Sequence, residues 1–515
     1  MKKIYYLPFV AGFTLLGSCS NEAPDVVQGE EIESGDGYYM KVAFNALQTR
    51  AASTDPELQI ENAAFVFYNQ QGRRIATRYI GGAQGNNETA DINWVNESDH
   101  PASKCAVLKL SSAPKYVSCV VNANDNWTFA GATYENFSAL TGNTYKKNGS
   151  NVMIMSSTRY YEENDGAIGN QVYLVEIIRE KMLHTTPEAA AAAQGDAAVI
   201  IPVEPVAAKV TVTNGLELDE NGAVNPQEGE RVDQVDAVVS FVPELAFLTA
   251  TNTERYTVKR LPAYSQIPED VRTKWTVKVN EYGNKRSNWV GETAGSVVWP
   301  TLGSMITKDA EDPNNVTVHA GYKYSENPVF YPFDNIDDEA VMTTNVVVAG
   351  RYKLTDTAGN NLAAADGSFW LVAIGDKFKV YKTEAEAIAA MGGVSGDTLE
   401  EDRENPDSHL TWNGWMRIKG KSYLPKCMKY NGGYGYYSKA IPRAVINGME
   451  YPAIVRNTKY DLTIKTINGM GIGIPTDDTE IIPLDPNDPK DENYYLHIAV
   501  DVKEWKEMKY NAEWL

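Results

Sequence analysis

The residues best suited to chemistry in this 515-residue sequence are its histidines and its paired acids. The five histidines share no metal-binding spacing, because no two lie within five residues of each other: His100, His184, His319, His409 and His497. Adjacent acids are common, as expected among 68 Asp and Glu residues, and none has the context of a glycosidase dyad. We therefore predict that the protein is not an enzyme, with no catalytic residue, no metal site and no cofactor.

Two segments imitate ligand-binding loops. Gly469-Met-Gly-Ile-Gly473 has the glycine content of a phosphate loop, but it follows a predicted strand and leads into prolines instead of a helix. Asp485–Asp491 has the acid density of a calcium loop, but prolines interrupt it and the glycine of the EF-hand turn is missing. We interpret the first as a flexible turn and the second as part of a solvated tether.

The N-terminus carries residues suited to lipid attachment. A short basic start precedes an apolar stretch, Tyr5 to Leu16, that is too short to span a bilayer. Leu16-Gly-Ser-Cys19 resembles the bacterial lipobox, whose cysteine is lipidated after cleavage on its amino side. Residues 1–19 are thus predicted to be a lipoprotein signal peptide with Cys19 as the lipidated (palmitate) site. An ordinary signal peptide with a chance cysteine is the alternative.

Composition limits the class of protein. A formal charge of −21 makes nucleic acid and anionic membrane surfaces unfavourable partners. The 30 tyrosines and 10 tryptophans favour a β-rich protein, and the length favours two domains. The odd number of later cysteines excludes a disulfide framework, so Cys105 and Cys119 either pair across strands or, with Cys427, are buried thiols.

Two alternating strands lie near the two ends of the chain. Apolar residues at every second position predict a half-buried strand. In the first strand, Tyr38–Ala46, these are Tyr38, Met40, Val42, Phe44 and Ala46. In the second, Tyr494–Val502, they are Tyr494, Leu496, Ile498, Val500 and Val502. The question is whether the second strand enters its own sheet or another molecule.

Breaks between the predicted elements suggest the domain limits. Helix is favoured at Glu188–Gln194 and at Glu384–Met391, and the second of these is closed by two glycines. Ile200–Val212 reads as a proline-interrupted strand pair where the chain changes domain. We predict a propeptide with a removable strand at 20–50, an N-terminal β domain at 51–205 and a C-terminal β domain at 206–474. A proline-rich tether with a donor strand follows at 475–515.

Several motifs together resemble one protein family. Tyr451–Gly471, Asn431–Tyr437, Thr343–Val348, Val203–Val210 and the terminal Val502-Lys-Glu-Trp505 occur in the order found in Bacteroidales fimbrillins. The resemblance is to the Mfa-type major subunit of short (minor) fimbriae and covers nearly the whole chain. Thr458 stands where the family often has His, and Pro205 where it usually has Arg.

The resemblance implies a mainly β fold of two β-sandwich-like, transthyretin-like domains with a few short helices. It implies export to the cell surface as a precursor lipid-anchored to the outer membrane, and maturation by an Arg-specific protease. Arg50 matches the cleavage position, so Ala51 is the expected mature N-terminus. The implied partners are other copies of the chain and the accessory anchor and tip subunits of a fimbrium that supports adhesion and biofilm formation.

These expectations combine into a strand-exchange hypothesis. Residues 38–46 fill a groove in the precursor, cleavage after Arg50 releases them, and residues 494–502 of another subunit then fill the vacated groove. One alternative is a permanently anchored glycan-binding lipoprotein that uses the aromatic clusters at Trp412–Trp415 and Lys429–Tyr437. The other is a tip or anchor subunit of the same fimbrium.

Overall fold

The structure is a computed structural model. It describes residues 37–45, 56–81, 93–96, 104–123, 141–142, 144–157, 175–227, 235–249, 256–257, 278–279, 285–286, 299–333, 335–336, 344–402, 414–421, 425–441, 444–446, 449–451, 453–454, 456–482 and 496–504. For Phe44, Asn45 and Leu496–Glu504 the backbone alone is described. The fold is mainly β, as the sequence predicts.

The first ten strands lie before residue 206. They are β1 (Tyr38–Asn45), β2 (Ala63–Tyr68), β3 (Arg74–Ile80), β4 (Asn93–Asn96), β5 (Lys104–Leu110), β6 (Tyr116–Val121), β7 (Thr141–Gly142), β8 (Met155–Ser157), β9 (Val175–Glu176) and β10 (Val199–Pro205). Two short helices, α1 (Arg179–Met182) and α2 (Pro187–Ala192), lie between β9 and β10. The second agrees with the helix predicted near Glu188.

One continuous sheet organises this N-terminal part, with the strand order β3-β2-β6-β8-β10-β1-β5-β4. A single buried cluster takes side chains from β1, β2, β5, β6, β8 and β10, so these strands share one core. Strand β2 (sequence AAFVFY) is buried at every position, which explains why its pattern is a continuous apolar run without alternation.

The remaining strands follow residue 208. They are β11 (Lys209–Asn214), β12 (Val238–Thr249), β13 (Tyr256–Thr257), β14 (Lys278–Val279), β15 (Lys285–Arg286), β16 (Ile306–Lys308), β17 (Val316–Val318), β18 (Val329–Phe330), β19 (Asn335–Ile336), β20 (Asn345–Thr355), β21 (Phe369–Ile374), β22 (Lys377–Tyr381), β23 (Leu399–Glu401), β24 (Met416–Ile418), β25 (Cys427–Tyr430), β26 (Tyr434–Ala440), β27 (Ala444–Ile446), β28 (Met449–Tyr451), β29 (Ala453–Ile454), β30 (Thr458–Ile467), β31 (Ile472–Gly473) and β32 (Leu496–Glu504). One helix, α3 (Glu384–Ala390), lies between β22 and β23.

Two four-stranded sheets enclose the core of the C-terminal part. Their strand orders are β18-β11-β30-β32 and β12-β20-β26-β31. The buried cluster contains residues of both sheets, including Val212, Leu462, Phe241, Val347 and Tyr437. This is the arrangement of a β-sandwich, in which the inner faces of two sheets bury each other.

A third sheet stands between β20 and β26 in the chain, with the order β22-β21-β25-β24-β23. Helix α3 packs on it and contributes Ala387 and Ile388 to a small separate core. The helix begins with a capping box, in which Thr383 and Glu386 satisfy each other's backbone N–H groups. It ends before Gly392, whose φ of +80° stops the helix, so the predicted helix forms where expected.

The chain passes between the two main cores over very few residues. Strands β10 and β11 lie in different sheets and are separated only by residues 206–208. Val206 and Ala207 belong to the N-terminal core, whereas Ala208 belongs to the C-terminal core. This short crossover lies within the Ile200–Val212 segment that sequence analysis selected for the change of domain.

Candidate assembly strands

Strand β1 lies inside the N-terminal sheet and not at its edge. It pairs antiparallel with β5 over Tyr38–Ala43. On its other side it pairs parallel with β10 over Val42–Asn45. Because hydrogen bonds hold it on both sides, β1 cannot leave without opening the sheet between β5 and β10.

One face of β1 is part of the core. Tyr38 is 9% exposed, and Met40 and Val42 are 0% exposed, as the alternating pattern predicts. The side chain of Phe44, and all of Ala46, lie outside the described residues. The three described side chains of the predicted apolar face are therefore buried.

A connecting segment, residues 178–197, crosses β1 and is here called the strap. It contains α1 and α2, and sequence analysis predicted only its second helix. Its contacts with β1 are paired backbone hydrogen bonds between Tyr39 and His184 at 2.8 Å, a hydrogen bond from Arg179 Nη2 to the Tyr38 hydroxyl at 2.8 Å, and one from Lys41 Nζ to the Ala193 carbonyl at 3.1 Å. The strap therefore binds both the backbone and the side chains of β1.

The entry to β1 requires glycine. Gly37 has a φ of +79°, a backbone conformation that residues other than glycine rarely adopt. A Cβ at this position would lie 2.7 Å from the carbonyl oxygen of Leu110 on β5. The chain thus turns sharply into the sheet at the residue before β1.

The predicted processing residues Cys19, Arg50 and Ala51 lie outside the described residues. The described chain ends at Asn45, which is paired with β10, and resumes at Pro56. Residues 46–55 therefore connect two fixed points, and Arg50 lies in the middle of this connection. These three predictions stay untested by the structure.

The point where the chain resumes is held by an ionic cluster that joins the two main cores. The Glu57 carboxylate accepts hydrogen bonds from Lys209 Nζ at 2.5 Å, Tyr331 Oη at 2.5 Å and Lys146 Nζ at 3.3 Å. Burial alone would raise the pKa of Glu57, but the hydrogen bonds of Lys209 and Tyr331 outweigh it, and the pKa lies below its usual value. Lys209 lies on β11 of the C-terminal part, whereas Glu57 and Lys146 belong to the N-terminal part. Tyr331 comes later in the sequence but packs against the N-terminal core.

Strand β32, which contains most of the predicted donor strand, is the edge strand of its own sheet in this structure. It runs antiparallel to β30. Its alternating apolar residues stand opposite residues of β30 that are at most 1% exposed: Leu496 opposite Ile467, Ile498 opposite Ile464, Val500 opposite Leu462 and Val502 opposite Tyr460. Tyr494 lies outside the described residues. The strand is thus folded back on its own subunit.

A bulge in β30 makes this register possible. The pairing shifts between Ile464 and Thr466, so Lys465 is an extra residue on that strand. The buried positions of β30 change their alternation at the same place, from Ile464 to Ile467. The bulge therefore lets one uninterrupted period-two strand follow a partner whose own period is broken.

The predicted tether begins later than sequence analysis expected. Its first part, residues 475–482, is packed on the protein: Ile481 is 0% and Ile482 is 4% exposed. Further contacts are an ion pair from Lys308 to Asp477 at 2.6 Å and hydrogen bonds from the Ile481 N–H to Pro300 O at 2.9 Å and from Tyr436 Oη to Ile482 O at 2.7 Å. The prolines indicate an extended, solvated run. The packing of residues 475–482 is not visible in the local sequence, because their partners are distant in the chain. The acidic segment Asp485–Asp491 lies outside the described residues.

Tyrosine hydroxyls fill the space around the glycine-rich turn. The Gly471 N–H donates to the Tyr352 hydroxyl at 2.7 Å, and Tyr430 donates to the Gly471 carbonyl at 2.8 Å. Tyr437 donates to the Gly469 carbonyl at 2.7 Å. A Cβ on Gly471 would lie 2.3 Å from the Tyr436 carbonyl oxygen. The glycines thus serve close packing and not phosphate binding.

The tyrosine-rich stretch does not form an exposed glycan platform. Tyr430, Tyr434, Tyr436 and Tyr437 are all at most 5% exposed. Trp415 is half-buried and stacks on Phe378 with ring centroids 6.1 Å apart, whereas Trp412 lies outside the described residues. The described aromatics of these two clusters fill sheet faces.

Other kinds of site find no support in the described part of the chain. No group of three or more His, Cys, Asp or Glu side chains there is arranged to hold a metal ion. Within the same residues, no helix is long and apolar enough to cross a membrane. Cys105, Cys119 and Cys427 are buried, and no disulfide forms among the described residues. Burial raises the pKa of the Cys427 thiol to about 12.

The C-terminal sequence matches a known family. The model of the C-terminal region of fimbrillin, the major fimbrial subunit protein type IV, matches residues 428–511. The match includes β26, the tyrosine-clamped glycine turn, β30 and β32. A search of curated protein sequences finds no match.

Solved structures with a related outline come from fimbrial and adhesion proteins of Bacteroidales. A candidate cell adhesion protein from Bacteroides eggerthii has a TM-score of 0.36 and 12% identity, covering 93% of this chain and 98% of that one. A fimbrial assembly protein from Parabacteroides distasonis has a TM-score of 0.29 and 14% identity, covering 67% of this chain and 92% of that one. The C-terminally truncated tip fimbrial protein Mfa3 from Porphyromonas gingivalis has a TM-score of 0.29 and 12% identity, covering 91% of this chain and 99% of that one. Similarity at this level carries no argument about function.

Proposed function

We propose that this chain is a fimbrillin, because its residues 428–511 match the C-terminal region of that family. We further propose that it is the major shaft subunit of a cell-surface fimbrium. The precursor is exported as a lipoprotein through Cys19 and is cut between Arg50 and Ala51. The cut subunits polymerise by strand exchange, in which the C-terminal strand of one copy enters the N-terminal sheet of the next.

The observation that carries this proposal is the position of β1. The strand is N-terminal to Arg50, and yet it is an interior strand of the sheet with Tyr38, Met40 and Val42 buried. Burial of three such side chains contributes about 5–9 kcal/mol before ordering costs. Cleavage after Arg50 cuts the covalent link between this strand and its domain, so loss of the strand leaves an apolar groove with two unpaired edges.

The C-terminal strand is suited to fill that groove. As the edge strand of its sheet, β32 is paired with β30 on one side. Its release breaks one ladder of hydrogen bonds, whereas release of an interior strand breaks two. Eleven residues, 483–493, separate Ile482, the last described residue of the tether, from Tyr494. Fully extended, this segment spans at most about 40 Å, enough to reach a neighbouring subunit.

A head-to-tail contact of this kind uses different surfaces on the two copies and does not close on itself, so it propagates a filament. The partners are other copies of this chain, accessory anchor and tip subunits, and an Arg-specific protease. A shaft role is favoured over a tip or anchor because the chain has both a strand to lose and a strand to donate. The glycan-binding alternative is weakened by the burial of the Tyr430–Tyr437 aromatics.

Substitution at the cleavage site tests the proposal. Arg50→Ala removes the side chain that an Arg-specific protease recognises, so the precursor should reach the surface, keep residues 20–50 and form no fibres. Arg73→Ala is the control, because Arg73 is an exposed arginine that follows β2 and lies away from the proposed cleavage site in sequence, and this variant should be processed normally. The measurements are N-terminal sequencing of surface material and electron microscopy. Normal fibres from Arg50→Ala, or a mature N-terminus other than Ala51, would contradict the proposed site.

A further inference from the structure

We infer that residues 494–502 of a second copy replace residues 38–46 position by position, in the same direction and the same register, between β5 and β10. This inference rests on the proposed function and specifies the contact that strand exchange would make. Tyr494 takes the place of Tyr38, Leu496 that of Met40, and Ala499 that of Ala43.

The two strands repeat one sequence pattern along their whole length. Residues 38–46 read YYMKVAFNA, and residues 494–502 read YYLHIAVDV. Three of the nine positions are identical, namely the two tyrosines and the alanine at the sixth position. Four of the others exchange similar side chains: Met for Leu, Val for Ile, Lys for His and Asn for Asp. Alternation alone explains the apolar positions, but it does not explain a shared order of polar and small residues.

On the core face, the replacement keeps the shape of the site. Met40 lies opposite Leu108 and Val42 opposite Ala106, and all four side chains are fully buried. Leu in place of Met and Ile in place of Val change the buried volume little, which packed cores tolerate. A shift by one residue would instead place Tyr495, His497, Ala499 and Asp501 on this face.

On the opposite face, the repeated tyrosines and alanine have specific neighbours. Lys109 Nζ lies 5.7 Å from the centre of the Tyr39 ring, which is within the range of a cation–π contact. Ala43 lies directly opposite Cys105. In the proposed register, Tyr495 meets Lys109 and Ala499 meets Cys105.

The tyrosine pair also fixes direction. The Tyr38 hydroxyl accepts a hydrogen bond from Arg179, and the Arg179 guanidinium lies 5.6 Å from the Tyr38 ring centre. Arg179 and Lys109 both stand at the end of the groove where β1 begins. A strand inserted in the reverse direction would carry its tyrosines to the other end, next to Asn45. A shift by two residues would bring Asp501 or His497 opposite Cys105.

Disulfide trapping in assembled fibres tests register and direction together. Full-length subunits with Ala499→Cys and Cys105→Ala are mixed with wild-type subunits, processed after Arg50, assembled and oxidised. Directly opposed residues of antiparallel strands have Cα separations that a disulfide can span. The expected result is a disulfide between Cys at 499 in one copy and Cys105 in the other, identified by peptide mapping. His497→Cys and Asp501→Cys, in the same Cys105→Ala background, are the register controls and should not form it.

A second residue pair guards against a poorly folded Ala499→Cys variant. Lys109→Cys subunits are mixed with Tyr495→Cys subunits, which should crosslink, or with Tyr494→Cys subunits, which should not because that residue faces the core. All mixtures are examined for fibres by electron microscopy. Fibres that crosslink through 497 or 501 to Cys105, or fibres without either expected crosslink, would overturn the register but leave strand exchange standing. Failure of processed wild-type protein to form fibres would instead overturn the proposed function.

Discussion

At the scale of single residues, the tyrosine hydroxyls around Gly471 do what the glycines alone cannot. Tyr352 accepts the Gly471 N–H and is 2.6 Å from the Tyr437 hydroxyl, which in turn donates to Gly469. Burial raises the pKa of Tyr352 well above its usual value, so its hydroxyl stays protonated. This network fixes the turn immediately before the C-terminal segment and thus sets the point from which that segment extends.

Removal of one hydroxyl from this network should destabilise the protein. Tyr352→Phe leaves the buried N–H of Gly471 without its acceptor and removes the hydrogen bond that the Tyr352 hydroxyl donates to the Tyr437 hydroxyl. This should lower the free energy of unfolding by about 1–3 kcal/mol. Tyr381→Phe on β22, where the ring is only half-buried, is the matched control and should change stability little. Urea denaturation followed by tyrosine and tryptophan fluorescence measures both. Equal stability of the two variants would mean that the network contributes nothing.

At the scale of elements, sequence periodicity located the elements whose burial is determined locally. The alternation at Tyr38–Ala46 and the capping signals at Glu384–Met391 depend on neighbours in sequence, and both elements form. The prediction that residues 475–482 belong to a solvated tether was wrong, because Ile481 and Ile482 are held by distant residues such as Pro300 and Tyr436. The partner of β32 was equally beyond sequence analysis, since alternation does not distinguish a strand's own sheet from that of a neighbour.

Deletion of the C-terminal strand separates folding from assembly at this scale. Removal of residues 494–515 takes away the donor strand but leaves the N-terminal sheet and the Arg50 site intact. The deleted protein should be processed normally and remain monomeric in analytical ultracentrifugation. Removal of residues 505–515 alone spares β32 and should still give fibres. Filaments from the longer deletion would show that assembly does not need the C-terminal strand.

At the scale of the whole molecule, Glu57 links the N-terminal part to strand β11 of the C-terminal part. Its carboxylate binds Lys146 from the N-terminal part, Lys209 from β11 of the C-terminal part and Tyr331, which packs against the N-terminal core. No local feature of the sequence distinguishes Glu57 from the other acids, because its three partners lie far from it in the sequence. Ala51, the proposed mature N-terminus, precedes Glu57 by six residues in the sequence.

The lowered pKa of Glu57 predicts how acid should act on this junction. Because the folded pKa lies below the ordinary value of 4.5, ionised Glu57 contributes its full stabilisation above that pH, and the contribution is lost as pH falls through the folded pKa. Glu57→Gln should therefore lower the melting temperature at neutral pH, and the melting temperature of this variant should fall less steeply as the pH decreases. Glu326→Gln, which removes an exposed partner of Lys323, is the control and should change neither the melting temperature at neutral pH nor its fall in acid. Calorimetry between neutral and acid pH decides the matter: if Glu57→Gln keeps the wild-type acid decline, another group causes it, and Glu57 does not hold the two cores together through its charge.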